Sequence, residues 1–266
     1  MNPEQPETKP AANSISLPDM LNLFKRLLPQ PSLKLTYAAL SDVGLVRENN
    51  EDCFTILEGK NIFLVADGMG GHNGGEVASR STIETLRRYF SPKIVKAMRS
   101  NSQETRLAML TGFEKANSMV MDLAEENQDL LGMGCTLVMA FIRGTTLYTC
   151  HVGDTRCYVV SENRIRKVTS DHTMTEDAPD NSSGRHVVTR VIGYPFPEPP
   201  EYNTISLRKG DRVLLCSDGL WSMIDEPTIQ QTIIKAKSPA KASARLVALA
   251  KQGGGDDNIT AMNIFC

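Results

Sequence analysis

Several acidic residues stand where an apolar run would hold them rigidly. Asp67 in NIFLVADGMGG, Asp154 in YTCHVGDTR and Asp218 in RVLLCSDGLW each follow such a run, and Asp257 in GGGDDNITAMNIF precedes one. Glu51 and Asp52 in RENNEDCF lead into another, with Arg47 just upstream. Taken singly, Asp-Gly after a strand is a common turn former. Taken together, these carboxylates would gather at one edge of a sheet stack, repel one another, and require a cation. Oxygen ligands without His or Cys select hard metals, Mg²⁺ or Mn²⁺, over zinc. Gly68 and Gly70 let the backbone approach closely enough for a carbonyl to join the ligands. Arg47 is a bidentate clamp for a phosphate or carboxylate. Two hard metals and one arginine can hydrolyse a phosphoester by activating a water for in-line displacement.

The elements that must position these groups follow from pattern. Strands are expected at 33–39, 53–57, 61–66, 135–142, 146–152, 156–160, 164–168, 212–216 and 258–265, separated by turn signals. Helices are expected at 76–90, with Ala78, Leu86 and Phe90 inward, and at 105–126, with Leu107, Leu110, Ala116, Met119, Val120 and Leu123 inward. A third helical region, 228–251, is divided by Pro239. Hairpins such as VVSENRI imply antiparallel pairing, so the chain reads as α+β and not as a doubly wound parallel sheet.

Composition narrows the function. With 29 Lys+Arg against 31 Asp+Glu, the net charge of −2 argues against a general nucleic-acid or anionic-membrane binder. No apolar run reaches the ~18 residues of a membrane span. The N-terminus MNPEQPETKP does not read as a secretory signal, and six cysteines without a Cys-x-x-Cys pair read as free thiols in a reducing cytoplasm. No His cluster is expected near them, so no zinc site is. Residues 1–32, Pro-rich, read as a largely disordered extension with one short amphipathic helix (Leu21, Phe24 and Leu28 on one face); 33–266 read as the folded domain. No long heptad repeat is present, so a monomer is expected.

Eight segments, in order, resemble the metal-dependent protein phosphatases of type 2C. They are Ser41-Asp-Val-Gly-x-Val-Arg47-x-x-Asn-Glu51-Asp52, Val65-Ala-Asp67-Gly-Met-Gly-Gly-His72, Gly134-Cys-Thr136 and His151-Val-Gly-Asp154-Thr-Arg156. Ser170-Asp-His-Thr173, Thr189-Arg-Val-Ile-Gly193, Ser217-Asp218-Gly-Leu-Trp221 and Asp257-Asn-Ile-Thr260 complete the set. Asp-Gly-Met-Gly-Gly-His is the form of bacterial members. The resemblance implies a four-layer αββα sandwich, two antiparallel sheets flanked by helices, and hydrolysis of phosphoserine and phosphothreonine on proteins by a metal-bound bridging water or hydroxide. It implies that Asp67 bridges two Mn²⁺ or Mg²⁺ ions, that the Gly68 carbonyl binds one, and that Asp218 and Asp257 complete the first site. Asp52, alone or with Glu51, would hold the second metal directly or through its waters. Asp154, shared with Asp218, matches the carboxylate for a third, weaker metal, and Arg47 would hold the substrate phosphate. An opposing Ser/Thr kinase is the implied partner.

Two departures stand out. Met69 occupies the position of a histidine proposed as general acid in eukaryotic members, and His72 reads as structural. Only residues 174–186 separate Asp171-His-Thr173 from the expected strand Val187-Val-Thr-Arg190; this short, acidic stretch reads as a surface loop where relatives carry a longer flap. Two other readings remain: a phosphoprotein-binding pseudophosphatase module, and a phosphatase of small phosphate esters.

Overall fold

Ile62 to Ala66 is apolar at every position because this strand is covered on both faces: Phe63 and Val65 point into one core, Ile62, Leu64 and Ala66 into another. The same alternation splits Leu137, Met139 and Phe141 from Val138, Ala140 and Ile142. The computed structural model describes residues 32–70, 73–176 and 185–266. The N-terminal extension with its short helix, and His72, therefore lie outside the described residues.

Among the described residues the first elements are β1 (Thr36–Asp42), β2 (Asp52–Leu57) and β3 (Ile62–Met69). Helices α1 (Gly74–Tyr89), α2 (Pro92–Met98) and α3 (Ser102–Glu126) follow, then a 3₁₀ turn at Gln128–Leu130. Next come β4 (Gly134–Arg143), β5 (Thr146–Val152), β6 (Arg156–Ser161), β7 (Arg164–Lys167), β8 (Thr173–Glu176), β9 (Arg185–Val188), β10 (Glu201–Ser206) and β11 (Arg212–Cys216). Helices α4 (Asp218–Trp221), α5 (Glu226–Lys235) and α6 (Pro239–Gln252) precede the final β12 (Ile259–Phe265). Two antiparallel five-stranded sheets form, ordered β1-β12-β11-β6-β7 and β10-β5-β4-β3-β2. Three cores fill the gaps: helices α1–α3 on the second sheet, sheet on sheet, and α4–α6 on the first sheet. That is the expected four-layer αββα sandwich.

Local chemistry fixes the helix starts. Asn101 accepts the Glu104 N–H at the head of α3, and Asp225 accepts the Thr228 N–H at the head of α5. Pro239 sits in the first turn of α6, where its missing N–H costs nothing, so the expected division of 228–251 is correct.

Four expectations need correction. The buried face of α3 runs through Ala108, Met109, Phe113, Ala116 and Val120, whereas Leu107 (61 % exposed) and Met119 lie outside. The 3.6-residue period admitted two neighbouring stripes, and only packing against α1 chose between them. The first strand begins at Thr36 and runs to Asp42, because its register is set by pairing with Ile259–Phe265 of β12. Strand β10 was not anticipated; half-exposed on the sheet edge, it lacks a continuous apolar run. Finally, the stretch 174–186 is not simply a surface loop. Its two ends are β8 and β9, paired from Thr173↔Val188 to Glu176↔Arg185, and the expected strand at 187–190 ends at Val188.

Candidate metal centre

The register of the second sheet sets two site residues side by side: Asp52 pairs with Asp67 across β2 and β3, and Asp67 with Thr136 across β3 and β4. Asp67 therefore lies within a strand and not in the turn after it. Asp154 follows β5 at the same edge, while Asp218 and Asp257 come from the end of β11 and the approach to β12 in the facing sheet. Asp218 is the first residue of α4 rather than a turn former. Glu51, Asp67, Gly68, Asp154, Asp218 and Asp257 line one cavity of about 230 Å³, with Arg47 at its rim. Met69 and Val188 supply its apolar wall.

Asp52 differs from its neighbour. It is buried behind the cavity wall, where Oδ2 accepts hydrogen bonds from Ser217 Oγ (2.7 Å) and Thr260 Oγ1 (2.6 Å). Glu51, not Asp52, faces the cavity. The Glu51 carboxyl lies over Gly75 at the start of α1, and Gly68 is wedged between the Gly75 and Glu51 carbonyls, where any Cβ would collide. The Gly68 N–H donates to the Glu51 carbonyl at 3.1 Å.

The loop 43–51 is held by one side chain. Asn258 Oδ1 accepts the Glu51 N–H (2.7 Å), while its Nδ2 donates to the carbonyls of Val43 (3.0 Å) and Asn49 (2.9 Å). Gly44, with φ +84°, passes so close to the Asp257 carbonyl that a side chain there would clash. Arg47 thereby meets Asp257 Oδ2 at 2.8 Å, with half its side chain exposed (51 %).

So many carboxylates in one place perturb one another. Burial, then Asp218, pushes Asp154 up to about 7. Burial raises Asp52 to about 7, with Asp218 and Asp257 adding repulsion and the Thr260 and Ser217 hydroxyls opposing it. Asp67 is raised well above the carboxylate range by burial and by Asp218 and Asp52. Asp218 is raised by burial and by Asp257, and Glu51 chiefly by burial. Asp218 Oδ1 and Thr136 Oγ1 are buried without a hydrogen-bond partner. An all-oxygen donor set with mutually repelling carboxylates and an orphaned oxygen fits hard divalent cations.

Sequence reasoning gave no role to Asn258, Ser217, Thr260 or Thr136. All four stand in the motifs, but only contacts reveal their work. It also expected no His cluster. Among the described residues, His151, His172 and Glu201 offer ligand atoms within 4.8 Å of one another. His151 Nε2 faces the Ser170 carbonyl (2.8 Å) and so bears hydrogen; His172 Nδ1 accepts the Gly153 N–H (3.2 Å), which leaves hydrogen on its Nε2. Both candidate nitrogens are donors, so the group does not present the lone pairs of a zinc site, and no zinc is assigned there.

The family model for "Protein phosphatase 2C" matches residues 46–251. The chain belongs to the protein phosphatase 2C family. It is 34 % identical over 245 residues to the serine/threonine protein phosphatase PstP of Mycobacterium tuberculosis, covering 87 % of this chain and 45 % of that protein. The chain thus spans about half the length of that relative. It is 30 % identical over 236 residues to the serine/threonine phosphatase Stp of Listeria welshimeri, covering 84 % of this chain and 92 % of that one. The PstP catalytic domain solved in complex with two manganese ions superposes with a TM-score of 0.74 at 33 % identity, over 87 % of this chain and 97 % of that one. The two-sheet sandwich is therefore the family's fold, and the acidic cavity lies at an edge common to both sheets.

Proposed function

We propose that this phosphatase 2C domain is a metal-dependent hydrolase of phosphoserine and phosphothreonine on proteins. The observation that carries the reading is the convergence of Glu51, Asp67, Asp154, Asp218 and Asp257 on one cavity with a single arginine at its rim. Asp67, Asp218 and Asp257 would hold one Mn²⁺ or Mg²⁺, and Asp67, Glu51 and the Gly68 carbonyl a second. Asp154, with Asp218, would hold a third. Such cations would supply an activated water nucleophile and neutralise charge gathering on the phosphoryl oxygens. Asp52 serves from behind, locking the Ser217 and Thr260 hydroxyls that join β11 to β12. Thr136 Oγ1 has a free valence with which to orient a water. Arg47 keeps N–H donors beyond the one given to Asp257 and would clamp the substrate phosphate, aligning phosphorus for attack.

We infer that the domain comprises residues 33–266, acts in the cytoplasm as a monomer, and opposes a Ser/Thr kinase, since the phosphate removed must first be written. No described helix is long and apolar enough to cross a membrane. The deciding experiment compares a phosphothreonine peptide with p-nitrophenyl phosphate, each under Mn²⁺, Mg²⁺ and EDTA, beside Asp218→Asn. Peptide turnover lost in EDTA and in the variant supports the proposal; turnover of the small ester alone moves the substrate class; metal binding without turnover of either means a phosphoprotein-binding module.

A further inference from the structure

The Asp154 and Asp218 carboxylates line the same cavity but hang from different sheets, Asp154 after β5 and Asp218 after β11. One hydrogen bond joins their carriers directly. Trp221 closes the single helical turn that Asp218 opens, and its Nε1–H donates to the Asp154 backbone carbonyl at 3.1 Å. The indole is itself fixed. The Arg156 guanidinium lies 3.4 Å from the ring centroid, Arg156 grips Asp171 through Nε (3.0 Å to Oδ1) and Nη2 (2.6 Å to Oδ2), and Nη1 donates to Tyr158 Oη at 2.9 Å. Lys167 adds a second cation to Asp171 at 3.0 Å.

The other side of the Asp154 loop is held through the residue before it, Gly153. His172 Nδ1 accepts the Gly153 N–H, and His151 stacks on His172 with centroids 4.7 Å apart. The His172 carbonyl accepts both the Thr189 N–H (2.7 Å) and the Thr189 hydroxyl (3.0 Å), pinning together the base of the β8–β9 arm, whose Val188 faces the cavity. The Asp154 loop is thus gripped by α4 on one side and by the root of that arm on the other.

We propose that Trp221 is a positioning residue: its bond to the Asp154 carbonyl, backed by the Arg156–Asp171 pair, sets the Asp154 carboxylate against Asp218 for their shared cation. This rests on the proposed role of Asp154 as ligand to the third, weaker metal. A half-buried polar network of this kind behind a metal ligand orients that ligand more than it adds to overall stability. Losing the donor should therefore weaken the Asp154-dependent cation and spare the others.

Trp221→Phe removes the N–H while keeping an aromatic face for Arg156. Free Mn²⁺ is counted by electron paramagnetic resonance during titration of the full chain, the Trp221→Phe variant and Asp154→Asn, with thermal melts of each. In the full chain, Trp221, the only tryptophan, reports the same titration through quenching by the paramagnetic ion. We expect a tight and a weak phase in the full chain, the weak one absent in Asp154→Asn. In Trp221→Phe the weak phase should shift about tenfold, the worth of one hydrogen bond, while the tight phase moves less than twofold. A weak phase unchanged in Trp221→Phe but lost in Asp154→Asn overturns the proposal alone, as does equal weakening of both phases, which would mark Trp221 as merely structural. A titration identical in Asp154→Asn and the full chain, or no weak phase in the full chain, removes Asp154 as a ligand and the proposal with it. Should Trp221→Phe fail to fold, Trp221→Met, which also lacks the indole N–H, carries the same test with the same outcomes.

Discussion

At the residue scale, the acidic centre makes opposing demands on stability and function. Asp218 is half-buried beside Asp67 and Asp257, and its buried Oδ1 lacks any hydrogen-bond partner. Asp218→Asn removes one repelling charge, so the metal-free variant should melt no lower than the parent, while the stabilisation by excess Mn²⁺ (about 2.7 kcal/mol at a hundred times Kd) should largely vanish. Melts with and without Mn²⁺ check both signs at once; an unchanged Mn²⁺ shift would remove Asp218 from the metal site. Arg47→Ala should raise KM for a phosphopeptide about tenfold or more with a smaller fall in kcat, because the guanidinium binds phosphate in both ground and transition states. The types of these residues were legible from the chain, since acidic ends on apolar runs need a cation. Which of Glu51 and Asp52 faces the cavity was not, because adjacent residues of a chain entering a strand point opposite ways and only the β2–β3 register decides.

At the scale of elements, the loop between β1 and β2 carries both Arg47 and Glu51 yet has no regular structure of its own. Asn258 gives it shape through three hydrogen bonds to backbone groups that would otherwise be unpaired. Asn258→Ala should cost about 1–3 kcal/mol in a denaturant melt and lower kcat/KM by more than tenfold, the loss of activity persisting at temperatures where the variant is fully folded. Gly44→Ala should destabilise comparably, because the left-handed backbone and the Asp257 carbonyl both exclude a Cβ. Strands buried on both faces announced themselves as continuous apolar runs, as in β3 and β4. The β8–β9 arm was legible only in part: a strand was expected from Val187, inside β9, but β8 was not, because four-residue strands paired with each other leave no periodic signature. The inward stripe of α3 was half-read for a related reason, since Leu107 and Met119 fit the period but not the surface they had to pack against.

At the scale of the whole molecule, burying several carboxylates together makes the metal-free fold respond to pH in an unusual direction. Asp52 and Asp154 titrate in the folded protein at about 7, far above their value of 3.8 in an unfolded chain. Between those limits the folded state holds more protons than the unfolded one, so stability falls as pH rises. The contribution is complete below pH about 4 and lost by pH about 7. His172 acts with the opposite sign: burial lowers it to about 4, so its contribution is present above pH about 6.5 and fades as pH falls towards 4. Burial also lowers His151, but the raised carboxylates outnumber the two histidines, and the metal-free protein should therefore lose several degrees of Tm between pH 5.5 and 7.5. Divalent cations bind the deprotonated carboxylates, so saturating Mn²⁺ should abolish or reverse that slope, with the gap between the two melting curves widening as pH rises. Melts across this range in EDTA and in Mn²⁺ test the argument directly. Parallel curves would mean that the acidic cavity is not where the cation binds.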